Sequence, residues 1–454
     1  MVINKSDLFL VFCAPVAFFI IGYAEYLGYI SNAVYLEFIV IPVSVISLVI
    51  YCYRNSPAFL YTSGMTFYYY IGMLVSLVIA STGMLMIEIN ETGTPNGAAF
   101  MMLSFFIYSV GISKVSFEWT LKKPNKIKIA RLPANIISKF LLSTMSVVFI
   151  LGLAILIFYS GPVLKGVNRV AFWDSMGNTG FSFYPTLVIQ TFYFSAYYFL
   201  LKRFDRQNSK LSLLLLIFYI FITFMVLGQK FSAFIVYITI FFALYPSFND
   251  YLKFKKKSLF FIFAIFALLV LMLALSYSLQ GYDVTFILTR VVLQGQVMWS
   301  VINHSFPDIV SNERYCLTGC DNFTNVYDYI SYDLLPIQTY LHYNATGTNL
   351  SGFSPAVQIH FMGLLPTLIL QTIIFVLLGF LQAKMVLFNK DRNFIMGFLI
   401  FKLSFSIFLI WHAVMFSAWK GTVLTVIAIL IYLLATKSIS KIKGKNCDGR
   451  SSLT

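Results

Sequence analysis

Four histidines, a few isolated cations and one hydroxyl-rich stretch hold the reactive groups of this chain. His304, His342, His360 and His412 all fall in its last third. Imidazole titrates near neutrality, so each can act as a general base or a hydrogen-bond donor. Arg290 is the single charge in TRVVLQGQVMW (289–299), whose polar company includes Gln294 and Gln296. A guanidinium keeps its charge when partly desolvated and matches phosphate with two parallel hydrogen bonds. At helical spacing Arg290, Gln294 and Val297 share a face. A helix lying flat at a membrane boundary would then turn Arg290 and Gln294 toward one anionic ligand, although an arginine snorkelling to lipid headgroups fits the same pattern.

The second reactive stretch is NATGTNLSGFSPAVQIHFMG (344–363). Thr346, Thr348, Asn349, Ser351 and Ser354 crowd donors and acceptors together, and Gly347 and Gly352 permit tight turns. Sugars need such a lining. A helix start with Ser354 as N-cap and Pro355 in the first turn explains the same residues. Six tyrosines (Tyr315, Tyr327, Tyr329, Tyr332, Tyr340, Tyr343) and three acids (Asp321, Asp328, Asp333) lie between the two stretches. Tyrosine rings stack on pyranoses and also form ordinary interfacial belts.

The elements that must position these groups are membrane helices. The chain is 59% hydrophobic and 11% charged with a mean hydropathy of +0.83, against about 25% charged residues in soluble domains. Apolar runs recur from end to end, many near the roughly 20 residues that cross a hydrocarbon core. Spans are expected near 8–28, 33–52, 59–86, 97–117, 137–159, 182–201, 211–228, 231–247, 259–278, 361–383, 394–412 and 421–436. The fold class is thus an all-α polytopic membrane protein of about twelve spans. The first run continues past residue 20 without a small-residue cleavage site, which reads as a span, not a removed signal peptide.

Lysine and arginine set the orientation. The loops 114–131, 201–210, 251–257 and 383–392 and the tail, together with Lys5, Arg54 and Lys139, hold 25 of the 32 Lys and Arg residues. That side is expected to be cytoplasmic, with both termini. The net charge of +15 is therefore topological, and no nucleic-acid partner is expected. Lys165, Arg169, Lys230, Arg290, Arg314 and Lys420 fall outside, and Lys402 is the one clear mid-span charge. Four regions follow: nine spans in 1–277, one large outer loop in 278–360 with short helices, three spans in 361–436, and a basic cytoplasmic tail in 437–454. Loops as long as 278–360 are uncommon unless functional. A smaller outer loop (160–182) carries Arg169 and Asp174. Cys316 and Cys320 can close a short disulfide in an oxidising compartment or remain thiols; without a second ligand pair nearby, no metal site is expected.

The chain resembles the Wzy-type O-antigen polymerases, which join oligosaccharide repeat units in bacterial surface polysaccharide assembly. The architecture carries the likeness over the whole length, with about a dozen spans, cytoplasmic ends and a dominant late periplasmic loop. Locally, TRVVLQGQVMW resembles that family's Arg-x3-Gln-Gly stretch, and SGFSPAVQIHFMG its Gly-Phe-x-Pro-Ala lead into the next span. The resemblance implies a GT-C-like inner-membrane glycosyltransferase, inverting, with neither metal nor cofactor. Donor and acceptor would both be undecaprenyl-diphosphate-linked oligosaccharides, membrane lipids would surround the site, and a chain-length regulator is a further possible partner. Arg290 then meets the leaving diphosphate, with Arg169, Lys230 and Arg314 as secondary partners. His360 is the favoured base, with His304, His342 and Asp333 as alternatives. Gln294, Gln296, Asn349, Ser351 and Ser354 complete the expected substrate contacts.

Two other function classes fit the composition. A lipid-linked oligosaccharide flippase or another transporter also uses many spans, but places polar groups near the midplane. An O-antigen ligase shares the late outer loop and the lipid-diphosphate donor.

Overall fold

The computed structural model describes residues 5–30, 32–123, 134–165, 167, 169–177, 179–204, 214, 217, 219, 221, 225–227, 231–248, 284–306, 326–346, 354–412 and 418–448. It is mostly helical. In chain order the elements are α1 (Ser6–Tyr26), α2 (Ala33–Asn55), α3 (Pro57–Thr62), α4 (Gly64–Ala80), β1 (Leu85–Met86), β2 (Glu91–Thr92), α5 (Ala98–Leu121), α6 (Ala134–Tyr159), α7 (Gly161–Lys165) and α8 (Arg169–Ser175). There follow α9 (Tyr184–Phe204), α10 (Phe231–Phe248), α11 (Val284–Val292), α12 (Gln296–Ser305), α13 (Val326–Leu334), α14 (Ile337–Thr346), α15 (Ala356–Met362), α16 (Leu364–Lys390), α17 (Phe394–His412) and α18 (Ala418–Asp448).

Six helices among the described residues are long and apolar enough to cross a membrane: α1, α2, α5, α6, α16 and α17. At 1.5 Å per residue the 24 residues of α5 run about 36 Å, more than a hydrocarbon core of about 30 Å. The expected spans 259–278 and most of 211–228 lie outside the described residues, so the chain is a helical membrane protein with at least these six candidates.

Helix α5 is the axis, buried along nearly its whole length. Its small residues explain why neighbours come so close, since packing in lipid relies on short side chains and interhelical hydrogen bonds. A Cβ on Gly379 of α16 would stand 2.2 Å from the Ser113 carbonyl oxygen of α5, and one on Gly22 of α1 would stand 2.8 Å from that of Gly97. Polar side chains fasten the same interface. Gln371 Nε2 of α16 donates to Ser109 Oγ (2.5 Å), Tyr70 Oη (3.2 Å) and the Phe105 carbonyl (3.2 Å).

Three sequence expectations change. The run 59–86 is not one helix: α3 and α4 are separate, and its end forms a small antiparallel hairpin, Leu85 opposite Thr92 and Met86 opposite Glu91. Met86 and Ile89 are buried beneath that hairpin. Lys114 is not a loop cation: it sits inside α5, 2% exposed, 2.7 Å from both Asp7 Oδ1 and Glu118 Oε1. The terminal helix α18 runs on through the basic residues to Asp448, where the sequence reading ends the span at 436.

Candidate functional site

The hairpin lies under the start of the large late segment. β1 packs on α11, and α12 runs against α5 and α15. Ser76 of α4 fixes the junction between α11 and α12. Its hydroxyl donates to the Val292 carbonyl (2.6 Å) and accepts from the Gly295 amide (2.6 Å). A Cβ on Gly295 would come 2.7 Å from that same oxygen, so glycine is what lets the chain break there. Of the residues expected to share a face, Arg290 and Gln294 are exposed, the latter in the turn, whereas Val297 beyond the break is buried; Gln296 is fully buried too.

Arg290 nevertheless has an organised setting. Gln296 Nε2 donates to Glu88 Oε2 of the hairpin, and Glu88 hydrogen-bonds with Tyr343 of α14. Burial, followed by the Glu88 charge, pushes the Tyr343 phenol above its ordinary value, while the nearby Arg290 guanidinium acts in the opposite direction. Four side chains from four segments therefore meet: an exposed guanidinium, a mostly buried carboxylate, a buried amide and a phenol. The amide holds the carboxylate, the carboxylate hydrogen-bonds with the phenol, and the guanidinium acts on that phenol through its charge.

Beside this cluster, α12 is laid along the link 82–97. Trp299 Nε1 donates to the Thr94 carbonyl (2.7 Å), Asn96 Nδ2 to the Trp299 carbonyl (3.0 Å). At the far end of α12, His304 Nε2 pairs with Glu91 Oε1 of β2 at 2.8 Å, with the His304 side chain 49% exposed. A carboxylate held on one ring nitrogen fixes the tautomer and leaves the other to accept a proton.

His360 is differently placed. It lies in α15, separated from α16 by Gly363 (φ +80), and its side chain is fully buried with Nε2 3.0 Å from Asp333 Oδ2 of α13. The sequence put His360 at the mouth of a span, open to substrate; the short helix α15 instead turns it inward. Ser354 is not an N-cap either. Its hydroxyl donates to the Trp411 carbonyl, its amide to the His412 carbonyl (3.2 Å), and Pro355 takes the cap position without a side-chain bond. His412 is buried in an aromatic box of Tyr69, Tyr70, Phe375 and Phe408.

His342 is exposed on α14, one residue from Tyr343. Arg169 opens α8, whose Phe172 belongs to a second core with Val148, Ile155 and Tyr184. Lys230, Arg314, Asn349, Ser351 and the Cys316–Cys320 pair lie outside the described residues.

Sequence reasoning missed Glu88 and Glu91. They sit in MIEINETG, where two acids close to an apolar alternation mark a hairpin more than the end of a span. It also missed Glu25 and Glu37, which lie near the ends of two candidate spans and are 4% and 0% exposed. Among the described residues no group of three or more metal-ligating side chains is present. Comparison with protein-family models, curated proteins and solved structures finds no match.

Proposed function

We propose that this protein is a membrane glycosyltransferase of the Wzy type, joining undecaprenyl-diphosphate-linked repeat units at the extracytoplasmic face of the inner membrane. The observation that carries the reading is the exposed Arg290, whose charge acts on Tyr343, the hydrogen-bond partner of Glu88. In an inverting transfer the acceptor hydroxyl attacks the anomeric carbon of the donor glycan, the bond to the diphosphate breaks, and negative charge gathers on the leaving group. A positioned guanidinium at headgroup depth stabilises that charge as it forms. The attacking hydroxyl must also lose a proton, and His304, braced by Glu91 and open to solvent, takes this role in place of the buried His360. Twelve spans, cytoplasmic termini and a chain-length regulator as partner belong to the same proposal.

The test is complementation of a host lacking the gene, with surface polysaccharide resolved on a gel. The wild type restores long chains, Arg290→Ala leaves one repeat unit, and Arg290→Lys recovers part of the length because the charge remains without the fork. Long chains from an inserted Arg290→Ala protein would remove Arg290 from the mechanism. A second reading, a lipid-linked oligosaccharide flippase, is favoured by one observation, the acids Glu25 and Glu37 buried within the candidate spans. It requires that loss of the gene remove every repeat from the surface, including the single unit.

A further inference from the structure

Between helices α1 and α2 the backbone takes positive φ at Gly28 (φ +76) and Asn32 (φ 62). The turn brings Glu25, near the end of α1, beside Glu37, near the start of α2. Both are buried, Glu37 completely. Very little compensates them. Glu25 Oε1 accepts the Gly97 amide at 3.1 Å, whereas Glu25 Oε2 and both oxygens of Glu37 have no hydrogen-bond partner. Ser81 is near Glu37, but its hydroxyl is committed to the Leu77 carbonyl at 3.0 Å.

The groups facing the pair come from every neighbouring element: the two carboxyls on α1 and α2, the Ser81 hydroxyl after α4, and the Gly97 amide opening α5. No lysine or arginine acts on either carboxyl among the described residues. The nearest cation on α5 is Lys114, seventeen residues beyond Gly97 and therefore about 25 Å along the helix. Two carboxylates side by side and shielded from water repel each other, before any cost of burial.

We propose that Glu25 and Glu37 form a proton-binding site inside the bundle, which holds one proton at neutral pH. The proton resides on Glu37 and is donated to Glu25. The remaining charge stays on Glu25, where the Gly97 amide and the positive end of the α5 dipole receive it. One proton thus supplies the hydrogen bond that the pair lacks and removes the repulsion. Its loss would place two charges at the corner where Gly22 and Gly97 touch. That corner adjoins the link 82–97, which bears Glu88 of the outer cluster. The inference does not depend on which substrate that cluster takes.

Infrared difference spectroscopy of the full chain in lipid nanodiscs tests it. At neutral pH in sodium-free buffer, a protonated carboxylic C=O band is expected; Glu37→Gln abolishes it, and Glu25→Gln shifts it without loss. Absence of the band in the wild type, or an unchanged band in Glu37→Gln, overturns the proposal. Loss of the band on adding sodium chloride at fixed pH, with choline chloride inactive, also overturns it by showing a metal cation in the site. Thermal unfolding of the wild type supplies a measurement that needs no variant to fold. A proton held more tightly in the native state gives stability at low pH that drains away as pH rises. The melting temperature should fall from mildly acidic to alkaline buffer, and a flat profile would contradict the site.

Discussion

Two charged clusters occupy opposite ends of the bundle, and each contains one cation with acidic and phenolic company. At one end Lys114 is enclosed by Asp7 and Glu118, with Tyr51 Oη donating to Asp7 at 2.8 Å and the Tyr51 ring 5.3 Å from the ammonium. At the other, Arg290 is exposed beside Glu88 and Tyr343, and Glu88 is held from below by Gln296. The difference lies in access. Lys114 spends its charge fastening α1 to α5 and has no face left for a ligand. Arg290 is open to solvent and lies near the braced Glu88–Tyr343 pair, the arrangement a charged substrate requires. Burial of a charge marks a fastening; exposure of an organised charge marks a candidate site.

The contrast can be broken by removing each cation. Lys114→Met leaves the buried Asp7 and the partly exposed Glu118 uncompensated and should cost about 3–5 kcal/mol of stability, read as a large drop in melting temperature and in folded yield. Adding Asp7→Asn and Glu118→Gln to it should return much of that loss. If Lys114→Met melts like the wild type, the enclosed cluster is not a fastening.

Arg290→Ala should do the reverse. Folding stays near the wild type while, on the proposed polymerase reading, polymer formation falls by about 100-fold to 1,000-fold, the usual effect of deleting one group that stabilises developing charge. Quantitative gels with matched protein levels measure it, and a collapse in folded yield would move Arg290 into the same class as Lys114.

Gln296→Leu probes the support beneath the open cluster. It removes a hydrogen bond to a charged, mostly buried carboxylate, worth about 1.5–3 kcal/mol, so both melting temperature and chain length should decline together. A variant with normal chain length would show that Glu88 needs no brace.

The smallest effect on stability is expected from Glu91→Gln. The His304 pair is substantially exposed, and surface pairs contribute at most about 1 kcal/mol. Unfolding should barely shift, while the pH dependence of product formation changes if Glu91 sets the His304 tautomer. An unaltered profile would separate His304 from proton transfer.

Several features were legible before any tertiary contact was known. Continuous apolar runs mark the helices around 33–52, 97–117 and 394–412 because only a hydrogen-bonded helix can carry its backbone through lipid. Arg290 stands out because one guanidinium in an apolar stretch must either reach water or meet an anion. His360 shows the limit of such reading. Its proximity to a span suggested exposure, yet the break at Gly363 makes α15 a separate helix that faces inward. Periodicity likewise carried Gln296 no further than the interfacial segment, since the turn at Gly295 depends on Ser76, 219 residues away.

By itself the sequence determined solvent and secondary structure: a chain this apolar must place helices in a membrane, and its few polar residues must either pair or face water. Tertiary structure alone decided which of them pair. Glu88 meets Gln296 across 208 positions, Glu91 meets His304 across 213, and Lys114 meets Asp7 across 107. Hydropathy is a local sum that fixes where a segment resides, whereas a contact between distant side chains depends on how whole helices cross, and small residues such as Gly22, Gly97 and Gly379 set those crossings.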